Sequence, residues 1–354
     1  MMRKILFGVF FSGLFALQTL AQQNRLVLKS ELMKQDVDYF NSLDSEDVKN
    51  TVSNAETYAF LSKEIPLFNC PDSAIQKIYY YRWWTLRKHL KATPDGFIFT
   101  EFITPMKHGG KYNAISSAVG HQLNEARWFN NQEMAKQYAN FWLNVDSKEK
   151  SPHLHNFSNW LAWTYLDLYK VNADKNFVSA NLQALDLDYQ KWEKERQLAD
   201  QSFWQYDVKD AMEESISGGR KEKNIRPTIN SYMFGSAKAL AEMARLQNDQ
   251  ALVVKYEQKA AELKQIVETR LWNPSSLFFE VVKEKGGFAN AREAIGFIPW
   301  YFNLPADKST YAKAWNQLTD SAGFTAPWGL TTAERRHPGF RTHGSGHGCE
   351  WDGA

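Results

Sequence analysis

Helical sequence patterns recur along most of this chain, and they constrain its fold more than any other feature. After Pro71, apolar residues follow at helical spacing from Ile75 to Leu90. The same periodicity recurs over residues 113–128, 131–143, 157–171, 176–198, 229–246, 249–271, 292–302 and 310–319. Strand-like runs are few, and the best are residues 97–102 and 277–282. The pattern predicts an all-α protein with a few short strands in its loops.

The helices follow one another in pairs that are typical of αα-hairpins, and turns rich in Gly and Pro separate them. Such hairpins pack side by side around an axis in α-helical toroids and solenoids. The sequence has no repeat with a fixed period of about 34 or 40 residues, which argues against a tetratricopeptide-type array. The loops are long and aromatic, so we expect functional residues on loops that a rigid helical scaffold carries.

The composition is that of a folded protein with many aromatic side chains. Lys and Arg number 42 and Asp and Glu 40, so the formal net charge of the 354 residues is +2. This balance argues against a strongly basic nucleic-acid-binding protein and against an acidic disordered tail. Aromatic residues make up 14% of the chain. Core packing explains any single aromatic residue best, but flat rings also suit the binding of sugars.

The first 21 residues are typical of a signal peptide. Arg3 and Lys4 precede an apolar run over residues 5–20, which is short and is flanked like a leader rather than a membrane anchor. No Cys stands at the expected cleavage point, which argues against a lipoprotein. We therefore expect a periplasmic or secreted protein without a membrane span, in which an N-terminal extension (residues 22–70) precedes the main domain (residues 71–354).

The segment most informative about chemistry is the acidic loop, which we define as residues 203–216. Four carboxylates lie within eight residues of it, at Asp207, Asp210, Glu213 and Glu214. A proton donor in glycoside hydrolysis needs a carboxyl group whose pKa is raised by partial desolvation, close to aromatic rings such as Trp204 and Tyr206. A solvated acidic loop without a catalytic role explains the composition equally well. Pro227 then fits the start of a helix.

Several segments match the motifs of one enzyme group in order and spacing. Residues 211–215 (Ala-Met-Glu-Glu-Ser) resemble a Gly-Met-Asp-Asn-Ser motif, and residues 228–231 resemble the segment that starts the next helix of that group. Further matches occur at residues 271–279, 297–301, 327–332 and 349–353. Over about residues 70–354, the chain resembles the six-hairpin (α/α)6 glycoside hydrolases, which include trehalases, processing α-glucosidase I and bacterial mannosylglycerate hydrolases.

The resemblance implies an (α/α)6 toroid and an exported glycoside hydrolase that cleaves an α-linked oligosaccharide or glycoside with inversion, without a metal or another cofactor. Glu213 corresponds to the general-acid Asp of the motif, and Asp210 is the reserve candidate. The residues expected to contact the sugar are Trp204, Tyr206, Arg226, Asn230, Tyr232, Trp328, Trp351 and Asp352.

Two departures from the group's pattern affect these expectations. Glu213 is one methylene longer than Asp, and a shift of the acid by about 1 Å is enough to affect the rate. The sequence ends at Ala354, inside the last motif, whereas the group carries its catalytic base further on. Inversion needs that base about 6.5–9.5 Å from the acid. We therefore expect a toroid that lacks its last helices, and little turnover by these 354 residues alone.

Two other functions remain open from the sequence. A polysaccharide lyase or sugar epimerase on a similar toroid needs a Tyr/His or His/His pair for proton transfer at carbon, and no such pair lies among the matched motifs. A non-catalytic sugar-binding remnant needs no base. The histidines at 337, 343 and 347 do not have the spacing of a zinc site, and Cys70 and Cys349 alone define no disulfide framework.

Overall fold

The structure, a computed structural model, describes residues 27–210, 212, 215–306, 308–327 and 329–341. Within these ranges it has eleven α-helices, which are α1 (Lys34–Ser42), α2 (Thr57–Glu64), α3 (Ser73–His89), α4 (Val119–Ala126), α5 (Glu133–Asn140), α6 (Leu161–Asn172), α7 (Lys175–Arg196), α8 (Pro227–Leu246), α9 (Gln250–Ile266), α10 (Ile298–Tyr301) and α11 (Lys308–Tyr311). Among the described residues, no helix combines the length and hydrophobicity that crossing a membrane requires. The predicted all-α class is confirmed.

The strands are short and form four antiparallel pairs within the described ranges. They are β1 (Leu90–Thr93), β2 (Gly96–Phe99), β3 (Trp204–Gln205), β4 (Asn224–Ile225), β5 (Trp272–Asn273), β6 (Phe278–Phe279), β7 (Thr325–Ala326) and β8 (Gly329–Leu330). Each strand pairs with its neighbour in chain order. The sheets therefore close loops between helices and do not build a core of their own.

The chain divides into two compact units, and the division falls inside α3. The first unit holds the described residues up to 47 together with 53–85, and the second holds residues 48–52 and those from 86 onward. In the first unit, the ring of Phe40 lies 5.9 Å from that of Trp84, whose indole nitrogen donates to Asn41 Oδ1 at 2.8 Å. The predicted boundary between residues 70 and 71 lies within this first unit.

In the second unit, alternate helices of the chain pack against one another. Helix α6 contacts α4 and α8, and α8 also contacts α10. The intervening helices pack on this inner row, with α5 against α4 and both α7 and α9 against α8. The first eleven residues of α8 are all buried, which is typical of a helix surrounded by other helices. An inner row with an outer row around it is the arrangement of a helical toroid.

Local sequence explains where several helices begin and how closely they pack. The side chains of Asp174 and Asp249 cap α7 and α9, since they accept hydrogen bonds from backbone N–H groups three residues on. Gly120 allows α4 to approach Trp160, because a Cβ at that position would lie 2.1 Å from the indole. Gly235 of α8 allows Phe302 to approach in the same way. These close contacts bring the inner helices together.

Some predicted helices are shorter than their patterns indicate. The segment 113–128 forms a regular α-helix only over α4. Tyr112 and Asn113 have positive φ angles, so the backbone at the start of this segment is not helical. The segments 292–302 and 310–319 fold mainly as 3-10 turns around the four-residue helices α10 and α11. Helical periodicity alone does not separate such turns from α-helix, because both place residues three apart on one side.

Candidate active site

The acidic loop begins at a strand that is tied to the first turn of α8. Phe203 N donates to Asn230 Oδ1, and Asn230 Nδ2 donates to the carbonyl oxygens of Phe203 and Arg226, each at 2.8 Å. Asn230 is fully buried. Both hydrogens of its amide are thus used to hold backbone. Asn230 therefore holds the loop to α8, and its role as a sugar contact stays a prediction.

A buried ion pair anchors the middle of the acidic loop. Arg226 Nε donates to Asp210 Oδ2 at 2.8 Å, and neither side chain is exposed to solvent. Arg226 Nη2 also contacts the sulfur of Met212 at 3.3 Å. Within the part of the chain that the structure describes, Asp210 Oδ1 and Arg226 Nη1 are buried without a hydrogen-bond partner. The pair favours an anchoring role for Asp210, whose role as reserve acid stays a prediction.

Asp207, one of the four clustered carboxylates, is a second buried carboxylate of the acidic loop and was not among the predicted site residues. Its Oδ1 accepts from Val208 N at 2.6 Å, and its Oδ2 lies 3.3 Å from the hydroxyl of Ser215. Burial raises the pKa of Asp207, although its hydrogen bond to Val208 and the charge of Arg226 act in the opposite direction. This part of the loop therefore disfavours the charged form of a carboxyl group.

Glu293 reaches the end of the acidic loop from a distant segment. Its Oε1 accepts from the backbone nitrogens of Ile216 and Ser217, at 2.8 and 3.4 Å, and its Oε2 is hydrogen-bonded to the Ser217 hydroxyl. Burial raises the pKa of Glu293, and the charge of Arg226 opposes this effect. Nothing in the sequence pattern singled it out, because a Glu in a helical pattern is usually exposed.

Aromatic residues from three helices and from the residue that precedes a fourth lie close together, and we call His121, Trp160, Tyr232 and Tyr301 the aromatic wall. The ring of Trp160 lies 4.6 Å from that of Tyr232, 4.8 Å from His121 and 6.0 Å from Tyr301. His121 and Tyr301 are exposed, whereas Trp160 is buried. Burial raises the pKa of Tyr232, and the nearby charge of Asp210 adds to it. Tyr232 belongs to α8, which begins directly after Arg226, so the same segment carries the partner of Asp210 and one ring of the aromatic wall.

The two aromatic residues at the start of the acidic loop differ in exposure. The ring of Trp204 is 5.2 Å from that of Tyr206, and Trp204 is buried whereas Tyr206 is partly exposed. The charged groups of Arg196 and Lys223 lie 4.8 and 4.9 Å from the Trp204 ring. These cation–π contacts occupy the surroundings of Trp204 and leave Tyr206 as the more accessible of the two.

Several predicted site residues lie outside the described residues. These are the proposed acid Glu213 and the predicted sugar contacts Trp328, Trp351 and Asp352. The structure thus brings together Asp210, Arg226, Asn230 and Tyr232, with Trp204 and Tyr206 at the start of the same loop. Among the residues that the structure describes, no three His, Cys, Asp or Glu side chains are grouped as a metal site.

The fold agrees with the comparison to known families. Residues 111–354 match the family described as "Mannosylglycerate hydrolase MGH1-like glycoside hydrolase domain", and the chain belongs to this family. The predicted resemblance to the (α/α)6 glycoside hydrolases is thereby confirmed. The family match begins at residue 111, later than the expected start near residue 70.

Individual relatives match large parts of this chain. A solved structure named as a sialidase is 44% identical with a TM-score of 0.88, over 92% of this chain and 30% of that one. The mannosylglycerate hydrolase of Thermus thermophilus, solved with glucose, is 12% identical with a TM-score of 0.57, over 77% of this chain and 82% of that one. An uncharacterized protein of Borreliella burgdorferi is 23% identical over 52% of this chain and 38% of its own length. The chain thus spans about a third of the first and the last of these relatives.

Proposed function

We propose that the protein is an exported glycoside hydrolase that cleaves an α-linked oligosaccharide or glycoside with inversion, and that Glu213 is its general acid. The observation that carries the proposal is the anchored acidic loop. Its middle is tied to Arg226 and its end to Glu293, both on other segments of the chain. A proton donor on a loop held in this way keeps a defined position next to a bound sugar.

The electrostatics of the loop support a protonated acid at neutral pH. Asp207, Asp210 and Glu293 place three buried carboxyl groups near the buried guanidinium of Arg226. Burial raises the pKa of Asp207 and of Glu293 against the opposing charge of Arg226, and a general acid requires a pKa raised in this direction. Glu213 corresponds to the acid in the motif and lies between Met212 and Ser215 in the sequence.

The aromatic wall supports a sugar site beside this acid. The exposed residues His121 and Tyr301 lie next to Trp160, which also contacts Tyr232 of α8, the helix that begins directly after Arg226. We assign the apolar face of the sugar ring to this wall. Trp328, Trp351 and Asp352 are further proposed contacts, on the strength of their motifs.

The signal peptide supports export of the protein to the periplasm or the medium. Residues 1–21 have the basic start and the apolar run of a leader. N-terminal sequencing of the mature protein from its source tests this directly. We expect the chain to begin at Gln22, and an intact Met1 on the mature protein would contradict export through this leader.

The variant Glu213→Gln tests the proposed acid. In the full-length chain, turnover should be compared on α-glycosides that share one sugar and differ in leaving group, from nitrophenol to a simple alcohol. We expect hydrolysis of the alkyl glycosides to fall about 10²–10⁴-fold, because their leaving oxygen needs a proton. The KM and the rate on the nitrophenyl glycoside should change much less. An unchanged rate on the alkyl glycosides would contradict the assignment, and sugar binding without turnover by the unmodified protein would favour a binding remnant.

A further inference from the structure

We infer that Glu293 is a positioning residue, which fixes the end of the acidic loop so that the loop's proton donor keeps its distance to the leaving oxygen. The inference rests on the proposed function, because it assumes a proton donor on this loop. Glu293 is separated from the loop by more than seventy residues in the sequence, and no motif includes it. Its contacts are therefore the reason for the assignment.

All of the hydrogen bonds described for the Glu293 carboxyl group go to two consecutive residues of the chain. It accepts from both backbone nitrogens of Ile216 and Ser217 and is bonded to the Ser217 hydroxyl. These groups belong to the point where the acidic loop ends. One carboxyl group thus fixes the direction of the backbone there, as a cap fixes the first turn of a helix.

The burial of Glu293 argues against a role in packing alone. The residue is 3% exposed, and a buried carboxyl group costs free energy unless its hydrogen bonds are made. An apolar side chain of similar size would fill the same space without that cost. The hydrogen bonds to the loop are what a carboxyl group provides and an apolar residue does not.

The backbone that carries Glu293 is itself held by a neighbouring segment. Glu293 forms an antiparallel bridge with Ala333. Ala294 N donates to the Thr332 carbonyl at 2.8 Å, and Glu334 N donates to the Arg292 carbonyl at 3.0 Å. The carboxyl group therefore acts from a fixed support. Together with the Asp210–Arg226 pair, it secures the acidic loop on both sides of residues 213 and 214.

A loop that is released at one end should misplace its proton donor more than it weakens sugar binding. A displacement of about 1 Å at a reacting group costs roughly 10²-fold in rate. The loss should depend on the leaving group, because a nitrophenolate leaves without a proton and an alcohol does not. A purely structural role would instead lower the amount of folded protein and would reduce the rates on all substrates equally.

The test compares Glu293→Ala, Glu293→Gln and Glu280→Ala in the full-length chain. Glu280 is a matched control, since it is 2% exposed and is hydrogen-bonded to Asn273 at 3.1 Å. Glutamine keeps an oxygen that can accept from Ile216 N and Ser217 N, so it should restore most of the activity. The kcat and KM of each variant are measured on the leaving-group series, together with Tm and with Glu213→Gln as reference.

We expect Glu293→Ala to lower kcat about 10²-fold on alkyl glycosides, with a small change on the nitrophenyl glycoside and in KM. Glu293→Gln should lie within about threefold of the unmodified protein, and Glu280→Ala should lower Tm without changing the dependence on the leaving group. Equal losses on all substrates, or a failure of Gln to restore activity, would overturn the inference. If Glu213→Gln has no effect on the alkyl glycosides, the proposed acid is wrong, and this outcome is distinct from a failure at Glu293 alone.

Discussion

Two buried clusters of charge in the second unit differ in how completely their groups are paired. In the first, Arg226 and Asp210 make one close contact, and each keeps a buried polar atom that has no partner among the described residues. In the second, both ring nitrogens of His155 are bonded to carboxylates, Nε2 to Asp188 and Nδ1 to Glu195, each at 2.9 Å.

The two clusters also differ in how far their charged groups are exposed to solvent. The His155 ring is stacked on Trp192 at 4.1 Å, and its partners Asp188 and Glu195 reach toward solvent. The Arg226 cluster is closed to solvent and lies at the acidic loop. The first cluster has buried polar atoms without a described partner at the loop where the proposed chemistry occurs, whereas both ring nitrogens of His155 in the second are bonded to residues outside the acidic loop. Unpaired buried polar atoms are costly, so the Arg226 cluster is expected to depend more strongly on its single ion pair than the His155 cluster depends on either of its two.

Among the substitutions that test this difference, Arg226→Met is expected to lower the free energy of unfolding most. The substitution leaves Asp210 buried without its cation, and breaking a buried pair costs about 3–5 kcal/mol. Adding Asp210→Asn should restore at least half of the lost free energy of unfolding, because it removes the uncompensated charge. Urea unfolding followed by tryptophan fluorescence measures both. A loss below about 1 kcal/mol for Arg226→Met would mean that the pair does not anchor the loop.

A smaller effect is expected at His155, where the free energy of unfolding should depend on pH. Burial lowers the pKa of His155, but its two carboxylate partners outweigh this effect and the pKa is raised overall. A raised pKa in the folded state means that the histidine stabilises the protein fully below about pH 6.5, the value of the unfolded chain, and that this stability is lost as the pH rises through the folded-state pKa.

Unfolding free energies measured from pH 5 to 9 on the unmodified protein and on His155→Gln check this expectation. The difference between the two should shrink as the pH rises. Turnover per folded molecule should be the same in both, because the described partners of the His155 ring are Asp188, Glu195 and Trp192, which lie outside the acidic loop and the aromatic wall. A difference that grows with pH would show that the histidine is neutral in the folded protein and that the cluster is held in another way.

The sequence predicted the long helices of the scaffold well because their apolar residues recur at helical spacing over many turns. The segments 176–198 and 229–246 correspond closely to α7 (Lys175–Arg196) and α8 (Pro227–Leu246). Short segments such as 310–319 were less well predicted, because a few periodic residues fit a 3-10 turn equally well. The acidic loop was found because its four carboxylates are clustered in the sequence.

The detailed pairing within the site was not predictable in the same way. Arg226 and Asn230 were expected to contact the sugar, yet both are buried and engaged with the loop. Glu293 was not expected at all, because its partners Ile216 and Ser217 are distant in the sequence. Burial of a polar side chain depends on which segments meet in the fold, and this information is not contained in local periodicity.

The most direct test of the central claim is the configuration of the first sugar released from an α-glycoside by the full-length chain. Proton NMR recorded within minutes distinguishes the two anomers before they interconvert in solution. Single displacement by water at the acidic loop predicts the β-anomer in excess, and Glu213→Gln should remove this signal for alkyl glycosides. First release of the α-anomer would contradict inversion, and an unsaturated product would show that the protein is a lyase instead of a glycoside hydrolase.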